Sequence, residues 1–181
     1  MRDISAANAP SQASTFDRAA GGDEAAFARL VAEHQPAMAR VAYVICGDAD
    51  VARDATQNAW SIAWRRLRTV RQPDRLRSWL VAIAANEARQ ALRRRRRQPV
   101  VDISAALGTD AGGDPGETIA VVDLQQALVG LTPDERRLLA LRFVAGLDSA
   151  EIGRHLGMSA SGVRSRLARL VERLRSEMDH G

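Results

Sequence analysis

Apolar residues recur at helical spacing in two long parts of this chain, and a stretch without any such period separates them. Runs rich in valine and isoleucine with strict alternation, which would indicate strands, are absent. The pattern therefore predicts an all-α protein with two small helical domains. The sequence between them, "QPVVDISAALGTDAGGDPGE", is rich in glycine, proline and acids, and it is typical of a flexible acidic linker.

Four segments follow from these changes in pattern. They are a disordered N-terminal tail over residues 1–15, a first domain over 16–97, the linker over 98–118, and a second domain over 119–177. In the first domain, Asp23 is predicted to cap a helix that Gly47 ends and that Pro36 kinks or divides. A second helix over 50–67 and a third over 74–97 follow. Their predicted inner residues are Ala52, Ala55, Ala59, Ile62 and Ala63 in the second, and Leu76, Trp79, Leu80, Ile83 and Ala84 in the third.

Charge is arranged in blocks along the chain. All 26 basic residues are arginine, and the sequence pI is about 10.7. Residues 60–97 hold 12 arginines against 2 acids, residues 98–135 hold 7 acids and no base, and residues 136–181 hold 9 arginines against 5 acids. Two basic blocks separated by an acidic one indicate a polyanionic partner such as nucleic acid.

Cysteine and histidine give no sign of a metal or redox site. The single Cys46 excludes an intrachain disulfide, and no cysteine or histidine cluster has ligand spacing, so we expect no metal, cofactor or catalytic residue. The N-terminal sequence lacks an apolar core of signal-peptide length, and no apolar run approaches the roughly 20 residues of a membrane span. We expect a cytoplasmic protein that is not an enzyme and does not insert into membranes.

The second domain contains a helix-turn-helix pattern in "LDSAEIGRHLGMSASGVRSRLARLVERLR". Asp148 and Glu151 predict a capped first helix, Gly157 a tight turn, and Ser159 the cap of a second helix. A further helix over "TIAVVDLQQALVGL" and one over "TPDERRLLALRFVAG", with Thr132 as its cap, are predicted before it. In the last helix Val163, Leu167, Leu170, Val171 and Leu174 are predicted to be buried, and Arg164, Ser165, Arg166, Arg169 and Arg173 to face solvent.

Such a helix is typical of duplex DNA recognition. Small residues at its start allow close approach to the duplex, and backbone amides there favour phosphate. Arginine can bind guanine O6 and N7 with two hydrogen bonds, which gives about 1 to 3 kcal/mol of discrimination. The spacing does not decide whether Arg164, Arg166 or both would read bases.

Over about residues 16–177, the chain resembles the extracytoplasmic-function (ECF) sigma factors of the sigma-70 family. The resemblance is carried by "GDADVARDATQNAWSIAWRRL", "RLRSWLVAIAANEARQALRRRRR" and "LTPDERRLLALRFVAGLDSAEIGRHLGMSASGVRSRL", which follow the family's motifs in the family's order. It implies a transcription initiation factor with two helical domains. Its partners would be bacterial core RNA polymerase, through the β′ clamp helices and the β subunit, and promoter DNA. An anti-sigma factor is a further partner that the resemblance implies.

The resemblance also assigns roles to residues. The polymerase-binding positions of the family's DLVQETF motif are Asp54, Gln57 and Asn58, where Asn58 and the preceding Arg53 replace two acids of the family pattern. Contact with the −10 element is implied for Arg68, Arg71, Arg75, Asn86, Arg89, Arg93 and Arg94. Contact with the −35 element is implied for Ser159, Ser161, Arg164, Ser165, Arg166 and Arg169.

Two other classes of protein share parts of this pattern. A helix-turn-helix regulator that does not associate with core polymerase would have a ligand or receiver domain, which this sequence does not supply. A site-specific recombinase would need a nucleophile on a catalytic domain with strands, whereas the first part here is helical. Both classes fit the chain less well than a sigma factor does.

Overall fold

The computed structural model describes residues 12–97 and 130–179, and every regular element in these two ranges is helical. The first unit contains α1 (Gln12–Ala20), α2 (Glu24–Cys46), α3 (Ala49–Arg66) and α4 (Leu76–Arg97). Two 3₁₀ turns, Leu67–Thr69 and Pro73–Arg75, lie between α3 and α4. The second unit contains α5 (Pro133–Leu139) with a π-helical turn (Ala140–Val144), then α6 (Ser149–Leu156) and α7 (Ala160–Asp179). The predicted all-α fold is confirmed.

Caps set the ends of α2 and the start of α3. The Asp23 carboxylate accepts a hydrogen bond from the backbone N–H of Ala26 at 2.9 Å, so Asp23 caps α2 as predicted. Gly47 ends α2 in the left-handed conformation, with φ of 67°. Asp48 follows directly and accepts from the backbone N–H groups of Asp50 and Val51. The chain therefore reverses from α2 to α3 within a few residues.

Pro36 does not divide α2, which continues as one helix of 23 residues. Proline removes one N–H from the helix and so leaves the carbonyl four residues earlier without its helical donor. That carbonyl belongs to Ala32, which is exposed. Water can therefore satisfy it, and the helix tolerates the proline.

Small residues pack the first unit closely. Ala52, Ala55, Ala59 and Ala63 of α3 are at most 5% exposed, so α3 approaches α2 and α4 through alanine. Along α4, Leu76, Leu80 and Ala84 are buried, while Trp79 and Ile83 are half-buried and pack against the same core. The predicted inner faces are thus confirmed, although Ile62 is only partly buried.

Helix α1 begins inside the stretch predicted to be a disordered tail. It starts at Gln12, and Phe16 and Ala19, one turn apart, are 5% and 3% exposed. Residues 12–15 of the predicted tail are thus helical, because burial of Phe16 draws the preceding residues into a helix that packs on α2. Residues 1–11 lie outside the described part of the chain.

The second unit starts with the predicted capping box. Thr132 accepts from the backbone N–H of Glu135, and the Glu135 carboxylate accepts from the backbone N–H of Thr132 at 2.9 Å. The helix then widens into the π turn, where the Ala145 N–H reaches the Ala140 carbonyl at 2.9 Å, a feature that the sequence did not predict. Gly146, with φ of 70°, ends it. The linker and the helix predicted over "TIAVVDLQQALVGL" lie outside the described residues, apart from its final Gly130 and Leu131.

The helix-turn-helix is confirmed in α6 and α7. Gly157 adopts φ of 67° in the turn, and Ser159 Oγ accepts from the backbone N–H of Gly162 at 3.0 Å, so Ser159 caps α7. Gly153 lies against the turn so closely that a Cβ there would be 2.5 Å from the carbonyl oxygen of Met158. Val171 and Leu174 are only half-buried, against expectation. Among the described residues, the apolar cluster at that end of α7 adds only Leu131, Val44 and Leu139 to Leu170 and Leu174.

The two units pack on each other and share one apolar core. Helices α2 and α4 contact α5 and the π turn. Polar contacts cross the same boundary: Arg77 Nη1 donates to the carbonyl oxygen of Ala145 at 2.9 Å, and Arg136 Nη1 to that of Ile45 at 3.4 Å. We call this the closed arrangement. Within the described residues, no helix is long and apolar enough to cross a membrane.

Candidate nucleic-acid and polymerase interfaces

The predicted polymerase-binding residues form one exposed face of α3. Asp54, Gln57 and Asn58 lie at positions i, i+3 and i+4, so they share one side of the helix, and all three are exposed. The other side of α3 carries the buried alanines of the core. Arg53, beside this face, pairs with Asp50 one turn earlier. The face can therefore contact a partner without disturbing the core.

The loop between α3 and α4 presents the first group of predicted −10 residues. Arg68 lies in the first 3₁₀ turn, Arg75 in the second, and Arg71 between them. All three are exposed. The loop thus forms a basic edge at the start of α4.

Helix α4 holds its predicted −10 residues in three different settings. Asn86 is half-buried, and its Nδ2 lies 3.5 Å from the Oε1 of Glu87, a long hydrogen bond. Arg89 is half-buried too, and its Nη1 pairs with Asp134 of α5 at 3.1 Å. Arg93 and Arg94 are exposed at the C-terminal end of the helix. The structure therefore does not gather these residues into one patch.

One arginine of the run at 93–97 has a partner within the protein. Arg95 pairs with Asp48, the cap of α3. The backbone N–H of Val51 gives the largest effect on the Asp48 carboxyl and lowers its pKa; partial burial opposes this, and Arg95 lowers it further. Arg95 therefore stabilises the turn between α2 and α3. Among the arginines of this run whose side chains are described, Arg93 and Arg94 remain available for DNA.

On α7 all six predicted −35 residues are at or near the start of the helix, but they do not share one face. Ser159, Ser161, Arg164, Ser165, Arg166 and Arg169 are all exposed. Each residue turns the helix by about 100°, so Arg164 and Arg166 lie on opposite flanks, while Ser165 and Arg169 point away from the core. A DNA groove that contacts Ser165 and Arg169 can therefore accommodate either Arg164 or Arg166 deeply, but not both.

Arg166 lies instead beside a cleft between the two units. Arg89 of α4, Arg137 of α5 and Arg166 line this cleft of about 200 Å³ together with Asp134. Burial, and then the neighbouring Arg89 guanidinium, lower the pKa of Arg137 to about 10. Arg137 was not predicted as a site residue, because "DERRLL" has the pattern of an ordinary amphipathic helix and shows nothing of the neighbours of Arg137 in the fold.

Two apolar surface features were also missed. Phe27, Trp60 and Trp64 form an edge-to-face cluster, with Phe27 and Trp64 centroids 4.7 Å apart, beside an apolar groove of about 380 Å³. Trp64 is 38% exposed and Phe143 66% exposed. The helical period alone could have identified Phe143. It follows Arg136 by seven residues and so lies on the polar side of the helix predicted over "TPDERRLLALRFVAG".

Groups that could hold a metal or act as a nucleophile are sparse in the described ranges. No three His, Cys, Asp or Glu side chains there are close enough to hold a metal ion. Cys46 is buried and donates to the carbonyl oxygen of Ala88 at 3.7 Å, and burial raises the pKa of its thiol to about 11. Its role is therefore packing.

Comparison with known families agrees with this geometry. The model of Sigma-70 region 2 matches residues 30–98, and that of Sigma-70, region 4 matches residues 122–174. The first match covers α2 to α4 and the second covers the helix-turn-helix. The order of the two matches is that of a sigma factor. The chain belongs to the sigma-70 family of RNA polymerase sigma factors, which are transcription initiation factors.

Similar proteins narrow the assignment further. The chain is 30% identical to the ECF RNA polymerase sigma factor SigL of Mycobacterium tuberculosis, over 87% of this chain and 91% of SigL. It is 32% identical to the probable RNA polymerase sigma factor RfaY of Xanthomonas campestris, over 88% of this chain but only 42% of that relative. A solved structure of CnrH in complex with the cytosolic domain of CnrY matches with a TM-score of 0.67 and 25% identity, over 92% of this chain and 96% of CnrH. Within the sigma-70 family, this chain is an ECF sigma factor.

Proposed function

We propose that this protein binds core RNA polymerase through the exposed face of α3 and brings it to promoters that carry −10 and −35 elements. The supporting observation is that the two sigma regions follow each other in one chain, each with an exposed polar or basic surface. The β′ clamp helices would receive Asp54, Gln57 and Asn58, and the β subunit would be a further contact. The protein would carry out this promoter recognition in the cytoplasm and would catalyse no covalent reaction.

The second unit would read the −35 element as duplex DNA. Ser159 and Ser161 at the start of α7 would bind phosphate, and Arg164 on one flank would meet a base edge. Ser165 and Arg169, which point away from the core, would line the groove. Arg166 would contact the backbone on the other flank, because it cannot enter the same groove as deeply as Arg164.

The first unit would hold the non-template strand of the −10 element. Arg68, Arg71 and Arg75 would bind its phosphates, and Arg93 and Arg94 would neutralise flanking phosphates. The loop contains no aromatic residue for base stacking. Base choice would therefore depend on pocket shape and on hydrogen bonds from residues such as Asn86.

Promoter recognition would require the two units to separate. The −35 and −10 elements are about 25 base pairs apart, which is about 85 Å of duplex at 3.4 Å per base pair. A compact body of the described size has a radius of gyration of only about 14 Å. The closed arrangement cannot reach both elements, so we infer that polymerase binding selects an open one in which Arg77 and Arg136 release their carbonyl partners.

A protein partner that favours the closed arrangement would keep the factor inactive. The structural neighbour CnrH was solved with the cytosolic domain of CnrY, and this supports a comparable partner for the present chain. We therefore include an anti-sigma factor among the expected partners. Its binding would oppose that of core polymerase.

Run-off transcription with purified core RNA polymerase tests the proposal. Templates would carry elements selected by the holoenzyme from a randomised library, and we expect a transcript only when the chain is added. Asp54→Ala should weaken core binding, whereas Asp17→Ala, an equally exposed aspartate on α1, should not. Absence of any promoter-dependent transcript would overturn the proposal.

A further inference from the structure

The cleft between the units carries more positive charge than the described residues of the protein neutralise. Arg89, Arg137 and Arg166 enter it from three different helices, and Asp134 is the one acid in its lining. Three guanidiniums and one carboxylate leave two positive charges. Asp134 pairs directly with Arg89 at 3.1 Å. Among the described residues, no hydrogen bond or ion pair is formed by Arg137.

Buried donor atoms in the cleft lack acceptors as well. The Nε atoms of Arg89 and Arg137 are both buried, and neither has a hydrogen-bond partner among the described residues. Buried N–H groups normally find an acceptor, and a charged donor that lacks one weakens the fold. Burial and the nearby Arg89 also lower the pKa of Arg137 to about 10, which agrees with uncompensated charge at this position. The described part of the closed arrangement therefore supplies no acceptor to these two N–H groups.

We propose that this cleft binds a phosphate group between Arg89, Arg137 and Arg166. The planar fork of arginine matches phosphate oxygens with paired hydrogen bonds, and a terminal phosphate carries about −1.5 to −2 charge at neutral pH, close to the excess in the cleft. The volume of about 200 Å³ is below that of sites for larger ligands, about 300 to 1,000 Å³. Apolar side chains of Leu156 and Met158 line the rest of the cleft and would strengthen the electrostatic attraction.

Binding in this cleft has a consequence for the closed arrangement. The three arginines belong to both units, since Arg89 is in the first and Arg137 and Arg166 are in the second. An anion held by all three would favour the closed arrangement over the open one. It would also occupy Arg166, which the promoter proposal assigns to the DNA backbone, and Arg89, for which the family resemblance implies contact with the −10 element. The inference itself rests on the geometry of the cleft and does not require that proposal.

Calorimetric titration of the full chain with sodium pyrophosphate, at ionic strength fixed with sodium chloride, tests the site. We expect one saturable site per chain, and Arg137→Gln should raise its Kd at least about tenfold, which corresponds to about 1.4 kcal/mol. Arg164→Gln is the matched control, because it removes the same charge from the exposed flank of α7 that faces away from the cleft. Its Kd should stay within about twofold of wild type.

Two further measurements keep the inference falsifiable. Arg137→Gln removes a repelled, unpaired charge, so its thermal midpoint without pyrophosphate should equal or exceed that of wild type. Asp134→Asn removes the one competing carboxylate and should tighten pyrophosphate binding several-fold. Equal losses of affinity in Arg137→Gln and Arg164→Gln would overturn the inference, because they would reflect net charge alone.

The phosphate could come from a free anion or from the DNA backbone, and a second titration separates the two sources. A duplex of random sequence replaces pyrophosphate, and Arg40→Gln, an exposed arginine of α2 with no assigned DNA contact, replaces Arg164→Gln as the control. Loss of duplex affinity in Arg137→Gln but not in Arg40→Gln, with no pyrophosphate binding by wild type, would identify a backbone phosphate as the occupant. If neither probe distinguishes Arg137→Gln from its control, the cleft is not a phosphate site. Neither titration uses polymerase or a promoter, so a negative result here leaves the proposed function standing.

Discussion

Helices α4 and α7 both carry arginines assigned to DNA, but they hold those arginines differently. Helix α4 is buried along most of its length, and two of its arginines pair with carboxylates of neighbouring elements: Arg89 with Asp134, and Arg95 with Asp48. Helix α7 buries only one stripe, and within the described residues no carboxylate pairs with Arg164 or Arg169. The helix-turn-helix thus presents unpaired arginines to DNA along α7. For α4, exposed arginines assigned to DNA lie only at its C-terminal end and in the loop before it.

This difference determines which helix can bind DNA without a rearrangement of the units. A duplex can meet the outer face of α7 in the closed arrangement, because Ser165 and Arg169 already face solvent. Arg89 of α4 cannot bind DNA until it leaves Asp134, which belongs to the other unit. DNA binding by the first unit is therefore expected to require separation of the units. DNA binding by the second unit requires it only for the contact made by Arg166.

The largest effect should come from breaking the helix-turn-helix itself. Gly153→Ala places a Cβ 2.5 Å from the carbonyl oxygen of Met158, a backbone atom that cannot move without shifting the turn. We expect a loss near the upper end of the about 1 to 3 kcal/mol that overpacking costs, measured by urea denaturation. Binding to the −35 duplex should weaken while binding to core polymerase remains. Gly130→Ala is the control, since a Cβ there meets no atom of the described residues within 4 Å; equal losses in both variants would contradict this prediction.

Replacement of single arginines should separate the two helices by the kind of contact they make. Arg164→Ala should lower discrimination between matched and mismatched −35 sequences by about 1 to 3 kcal/mol. Arg93→Ala on α4 should instead weaken binding to all sequences alike and reduce the salt slope by about 0.9 if its phosphate is in duplex DNA. Fluorescence titrations at several salt concentrations measure both quantities. A uniform loss for Arg164→Ala would make it a phosphate contact.

Much of the fold could be predicted because local signals decide it. Asp23, Gly47, Thr132, Gly157 and Ser159 act within a few residues of their own position, and each begins or ends a helix where the sequence predicts. The start of α1 was missed because it depends on the packing of Phe16 in the core, which no capping signal near residue 12 marks. The π turn was missed because an apolar period cannot distinguish it from a regular helix.

The candidate site was predictable only where exposure follows from helical period. Asp54, Gln57, Arg164 and Arg169 face solvent as expected. By contrast, the pairing of Arg89 with Asp134 and the cleft around Arg137 join helices far apart in the sequence. No local pattern encodes such a meeting, since it depends on how the two units pack.

Loosening the boundary between the units should have a smaller effect. Arg77→Gln removes the hydrogen bond to the carbonyl of Ala145, which we expect to stabilise the closed arrangement by about 1 kcal/mol. The distance between fluorophores on α3 and α7 should increase, and binding of random-sequence duplex should strengthen slightly as Arg166 becomes free. Arg40→Gln, an exposed arginine of α2, should leave the distance unchanged. An unchanged distance in Arg77→Gln as well would show that the hydrogen bond from Arg77 to Ala145 does not hold the units together.

The smallest effect should come from the ion pair between Arg95 of α4 and Asp48 in the turn between α2 and α3. The hydrogen bond from the Val51 N–H has the largest effect and lowers the pKa of Asp48. Partial burial raises this pKa, but Arg95 lowers it further, so it stays below its usual 3.8. Because the folded pKa lies below the unfolded one, the stabilisation is present above about pH 4 and is lost as the pH falls through the folded pKa. Asp48→Asn keeps a good helix cap but loses the charge, so it should cost less than about 1 kcal/mol at neutral pH, and this difference from wild type should shrink in acid. Arg95→Gln should reproduce only the part due to the ion pair. Urea denaturation between pH 7 and pH 2 measures both differences, and a difference for Asp48→Asn that stays constant with pH would show that ionisation of Asp48 does not stabilise the turn.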